Sequence, residues 1–133
     1  MSDDKVVFQE LRIRAKGKQL FQIYFVVENG KSQVMDGFRN LPQDKKDEVK
    51  DLIIKMATVE NFKSNKIRWR LQKKYSYGEL KPKGHRFFFF LKFAHNIIFF
   101  KYAKKKKDSL GDQFYKNTES EKRRYEREFK ESI

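Results

Sequence analysis

The chain has 133 residues, room for one domain with a sizeable core and not for two. It carries 32 lysines and arginines against 18 aspartates and glutamates, a formal charge of +14, so the expected partner is a polyanion or an acidic protein. It has no cysteine and two histidines, which excludes disulfide scaffolds, thiol nucleophiles, cysteine-ligated metals and an all-histidine zinc site.

The start, Met1-Ser2-Asp3-Asp4, is acidic with no apolar run behind it. No signal peptide is expected there, and the cytoplasm is the expected compartment. Unbroken apolar runs such as Phe87 to Leu91 are far shorter than a membrane span, so no membrane is expected as a partner. Val6 to Phe8 and Leu11 to Ile13 are short and ambiguous. Residues 1–18 are read as an N-terminal extension, with an added edge strand as the simplest role. Leu20 to Val27 is rich in β-branched and aromatic residues and predicts a strand. Ala15 to Lys18 is placed to turn a hairpin before it, and Asn29-Gly30 closes it.

Ser32 suits a helix N-cap, and Val34, Phe38 and Leu41 follow at a helical spacing. Pro42 suits the first turn of a second helix, with Asp44 near its positive end. Val49, Leu52, Ile53 and Met56 give that helix an apolar stripe through about Ala57. The two helices should form a hairpin packed on a sheet. Lys66 to Leu71 alternates polar and apolar, as in a half-buried strand. Tyr77 to Lys81, Arg86 to Phe93 and Ile97 to Tyr102 follow as strands, the last two so continuously apolar that both their faces should be covered. A charged helix from about Asp112 to Lys130 closes the order. Glu119 with Arg123 and Glu126 with Lys130 support it, and Phe114, Tyr125 and Phe129 are placed to dock it. The expected fold is α+β with a mainly antiparallel sheet, in a single domain over residues 1–133.

The charge is concentrated. Residues 66–107 carry 14 basic side chains and one acid, Glu79, whereas the segments on either side are close to balance. Seven of the 14 phenylalanines lie between Phe87 and Phe100, inside the same stretch. Cations interleaved with core residues read as a sheet with a buried side and a basic rim.

Tyr77-Gly78-Glu79-Leu80-Lys81, then Gly84-His85-Arg86-Phe87-Phe88-Phe89-Phe90, then Ile97 through Lys105 resembles the RelE/HigB superfamily of type II toxins, in its phage-derived, HigB-like branch. Gly30, Val34, Phe38, Leu41 and Pro42 fit the helical hairpin of that branch. The resemblance covers about residues 20–125. It departs at residues 1–18, at Ser109-Leu110 where a Thr-Pro often opens the last helix, and at Tyr77-Gly78 where a tryptophan is usual. It implies a RelE-like fold: an N-terminal strand, a helical hairpin, a three-stranded antiparallel continuation of the sheet and a C-terminal helix. It also implies a metal-independent endoribonuclease without cofactor. Its partners would be messenger RNA, often on the ribosome, and a cognate antitoxin, expected to be a helix-turn-helix protein. In such enzymes the ribose 2′-hydroxyl attacks the adjacent phosphate and the 5′-oxygen leaves.

That reaction asks for a base, an acid and positive charge on the phosphorane. Arg86, at the start of a central strand, is the first candidate to grip the phosphate. Lys81 and Lys83 follow, either as a base made partly neutral by crowding or as plain phosphate contacts. Lys104 occupies the position that supplies a basic residue near the scissile phosphate in the family, with Lys105 and Lys106 beside it. A solvated lysine run explains these equally well. Tyr102 and Tyr115 are candidate base-stacking platforms, and Tyr102 alternates with Phe100 and Lys104, which would put the three on one face. His85 is counted with the RNA-binding residues, on the opposite face of its strand from Arg86. His95 reads as a solvated turn residue, Trp69 as packing, and Glu79 as a neutraliser of Lys81 or Arg86. Two other functions fit the same charge: a non-catalytic basic nucleic-acid-binding module, and a ParE-like toxin that inhibits gyrase by binding.

Overall fold

The computed structural model describes residues 5–14, 17–70, 75–105 and 110–129. Its strands are β1 (Val6–Leu11), β2 (Gln22–Glu28), β3 (Ile67–Arg68), β4 (Gly78–Leu80), β5 (His85–Lys92) and β6 (Asn96–Lys104). Helices α1 (Gln33–Arg39) and α2 (Gln43–Thr58) lie between β2 and β3, and α3 (Asp112–Glu128) comes last. The six strands form one sheet in the order β1-β2-β6-β5-β4-β3. This is an α+β fold.

The apolar strands β5 and β6 are central, as their composition requires, and Phe87 to Phe90 are each at most 2 % exposed. The sheet is mainly antiparallel, as expected, with one parallel pairing, β2 with β6, that makes it mixed. One finding differs from the sequence reading. The alternating segment from Lys66 contributes a strand of two residues only, matched to the three-residue β4 beside it. The ambiguous residues after Lys5 join into β1, an edge strand antiparallel to β2. The turn expected at Ala15 to Lys18 lies partly outside the described residues.

The sheet is covered on both faces. On one, Val34, Val49, Leu52 and Met56 of the helical hairpin meet Ile23, Phe87 and Phe99. The Ser32 hydroxyl caps α1 by accepting from the Met35 amide at 3.2 Å. Pro42 is itself the N-cap of α2, one position before the expected first turn. On the other face, Tyr125 and Phe129 pack with Phe88, Phe90, Ile98 and Phe100, with Phe114 against them. Polar ties fix α3 in place. Arg124 and Tyr125 both donate to the Glu28 carboxylate, at 2.5 and 2.7 Å, and Lys101 donates to Glu121 at 2.9 Å. Lys92 donates to the carbonyls of Glu126 and Phe129, a cation at the negative end of the helix. Glu119 meets Arg123 as expected; Lys130 lies outside the described residues.

A β-bulge decides which side chains reach each face. Phe88 pairs with Lys101 and Phe89 with Phe99, which leaves Phe100 as an extra residue in β6. Phe100 and Lys101 therefore both face α3. Tyr102 faces the helical hairpin, where it packs on Phe87. The expectation that Phe100, Tyr102 and Lys104 share a face is thus corrected: strict alternation fails at the bulge.

Candidate functional site

The start of β5 and the end of β6 lie side by side, His85 opposite Lys104 and Arg86 opposite Ala103. Successive strand residues point to opposite faces, so His85 and Arg86 begin two separate clusters at one end of the sheet.

The cluster on the α3 face is built around Glu79, which is 4 % exposed. Its carboxylate lies 3.7 Å from Arg86 Nε and 3.8 Å from Arg68 Nε, and its Oε2 has no hydrogen-bond partner among the described residues. Arg86 also donates from Nη1 to the carbonyl of His85 at 2.8 Å and towards that of Pro82 at 3.4 Å. Its guanidinium is therefore committed on two sides. Lys81 joins the cluster. Burial lowers its pKa, the charges of Arg68, Arg86 and Lys105 lower it further, and Glu79 opposes them. The Tyr115 phenol faces the same charges; burial raises its pKa, Glu79 raises it further, and Arg86 and Arg68 pull the other way. Tyr115 is stacked on Tyr75 and lies edge-on to Phe114, so it is a fixed aromatic surface beside cations.

The cluster on the hairpin face contains His85, whose Nδ1 is 2.7 Å from the Tyr102 hydroxyl. Burial lowers the His85 pKa, and the charges of Lys104, Lys45 and Arg86 act in the same direction. His85 is thus held neutral at neutral pH. Burial raises the Tyr102 pKa, so the phenol keeps its proton. Tyr102 reaches this place because α1 has Gly37 beneath it: a Cβ there would stand 2.3 Å from Tyr102 Cγ.

Of the residues singled out in the sequence, Arg86 and Lys105 lie close enough to act on Lys81, and Arg86 on Tyr115, while His85, Tyr102 and Lys104 come together on the opposite face. Lys83 is exposed in the turn before β5 and joins neither cluster by any contact among the described residues. Lys106 lies outside those residues. His95 is exposed at the far end of the β5–β6 hairpin, and Trp69 packs on the core with its indole N–H donated to the Phe62 carbonyl at 2.8 Å. Two participants were not singled out. Arg68 was legible from its alternation with buried Ile67; Lys45, forty positions from His85, gave no sequence signal. Among the described residues, no three His, Asp or Glu side chains gather to hold a metal ion, and no helix is long and apolar enough to cross a membrane. Comparisons of the chain with protein families, with curated proteins and with solved structures found no match.

Proposed function

We propose that the chain is a metal-independent endoribonuclease of the toxin type, acting on messenger RNA in the cytoplasm and restrained by an antitoxin. The observation that carries the reading is a cation group around buried Glu79: Arg86 and Arg68 flank its carboxylate and, with Lys105, act on Lys81, while Arg86 and Arg68 also act on the Tyr115 phenol. A crowded lysine with a lowered pKa is a fit base for a ribose 2′-hydroxyl, and neighbouring cations can meet the charge of a phosphorane. The 2′-oxygen would bond to phosphorus, the P–O5′ bond would break, and the departing oxygen would take a proton. Tyr115 offers a face on which an unpaired base can stack. The order of strand, helical hairpin, strands and C-terminal helix also agrees with a RelE-like arrangement, β1 being an addition at the edge.

One observation favours the second reading, a basic module that binds RNA without cutting it. Arg86 is 14 % exposed at its side chain and braced by Glu79 and two carbonyls, which is how a structural arginine is held. Arg86→Ala therefore mixes loss of charge with loss of a brace. The cleaner variants are Lys81→Gln and Lys105→Gln. Purified protein is incubated with naked message and with translating ribosomes, and cut ends are mapped. Cutting by the wild type, lost in Lys81→Gln with RNA binding largely kept, supports the nuclease. Binding without cutting in both settings supports the module.

A further inference from the structure

A second feature lies on the hairpin face, apart from the cation cluster around Glu79. An apolar slot of about 350 Å³ opens between the chain following β1 and the helices α1 and α2. Its floor includes Ile23, Phe87 and Phe99, each at most 2 % exposed. Leu11 and Ile13 form one wall, and Phe38 and Ile53 form the other. Packed protein interiors leave few voids larger than a water molecule, and this volume falls in the range of small-ligand pockets, about 300–1,000 Å³.

Among the described residues, the charged ones along the slot are Arg12, Arg14 and Lys50, and no carboxylate lines it. Arg12 and Arg14 belong to the chain just after β1 and Lys50 to α2, so cationic residues flank the slot on both sides. We propose that the slot binds an amphiphilic anion, a single unbranched hydrocarbon chain ending in a carboxylate. The apolar walls take the chain and the cations take the head group, with the arginine forks suited to a carboxylate. The inference does not depend on the RNA reading.

The test is calorimetric titration of the whole protein with dodecanoate and with dodecanol, both below their aggregation limits. One dodecanoate binds per chain, more tightly than dodecanol. Arg12→Gln with Arg14→Gln weakens dodecanoate by about tenfold or more and leaves dodecanol unchanged, since charge-assisted contacts are lost and apolar ones kept. Both arginines are exposed, so this variant folds. Ile53→Trp fills the slot and abolishes binding of both, with helix content checked by circular dichroism. Absence of dodecanoate binding to the wild type overturns the proposal, as does binding that the arginine variant leaves intact. A helical Leu/Glu peptide that binds where dodecanoate does not overturns it in favour of a protein partner.

Discussion

Glu79→Gln isolates the one acidic group in the basic cluster. The change keeps the shape of the side chain and removes its charge. Two ion pairs are lost. The Arg68 partner is 54 % exposed at its side chain, and such a pair contributes at most about 1 kcal/mol. The Arg86 partner is 14 % exposed against 5 % for Glu79, so this pair is nearly sealed. Removing one member of a buried pair costs about 3–5 kcal/mol, because the other is left charged and unmatched. The 3.7 Å separation and the two carbonyls that already accept from Arg86 place the loss at the lower end, about 3 kcal/mol. For a domain of this size that lowers the melting temperature by about 10 °C. Circular dichroism during thermal and urea unfolding reads it. RNA binding should move the other way. With its anion deleted, Arg86 gains freedom to meet a phosphate, so affinity for a single-stranded RNA rises. Its logarithmic salt slope steepens by about 0.7, the value for one further contact. A double-mutant cycle gives a separate check: adding Glu79→Gln to Arg86→Ala should recover part of the stability that Arg86→Ala loses, since the stranded carboxylate is removed. An unchanged melting temperature together with weaker RNA binding in Glu79→Gln would refute the reasoning.

Gly37→Ala should cost about 1–3 kcal/mol in urea unfolding, since the new methyl would lie 2.3 Å from a ring carbon of Tyr102 and the ring must be pushed aside. The same variant should move the His85 titration seen by NMR, because Tyr102 is its hydrogen-bond partner. Folding lowers the His85 pKa, so the unfolded chain takes up that proton first, near pH 6.5. The His85 contribution is therefore full above about pH 6.5 and declines as the pH falls towards the lower folded value; a urea midpoint followed from pH 8 to 5 should show the fall, and His85→Asn should lessen it. Tyr125→Phe should lose about 1 kcal/mol with the hydrogen bond to Glu28. Ultraviolet titration of the wild type, compared with Tyr125→Phe, should find the Tyr125 phenol pushed up to about 12 by burial and by that bond, with the Tyr77 phenol raised further by its burial.

The elements were legible where residue type and period agree. Ser32 before the Val34, Phe38, Leu41 spacing gave α1 with its cap, and the apolar runs at Phe87 and Ile97 marked the two central strands. Pairing across long separations was not legible. Nothing in β2 says that its other neighbour is β6, more than seventy residues on, or that the two run parallel. The cluster around Glu79 was partly legible, since a single acid among 14 cations must sit where it neutralises some of them. That it sits between arginines from two different strands depends on the β3–β4–β5 register, which sequence spacing does not carry.

The bulge shows how one residue sets the chemistry of the sheet end. Beyond Phe100 the facing of β6 is shifted by one position, which turns Tyr102 to Phe87 and sets Lys104 beside His85. The same shift brings Ala103 to the α3 face opposite Arg86. Directly opposed residues of an antiparallel pair share a face, so Ala103 flanks Arg86 from β6 while Glu79 meets it from β4 on the other side of β5. Without the extra residue, Tyr102 would point at α3, into the space Arg86 occupies, and Ala103 would face Gly37 across a void. Gly37, Tyr102 and Ala103 are therefore matched through the bulge. Moving it by one position would dismantle both clusters at once, while moving any one lysine would touch only its own face.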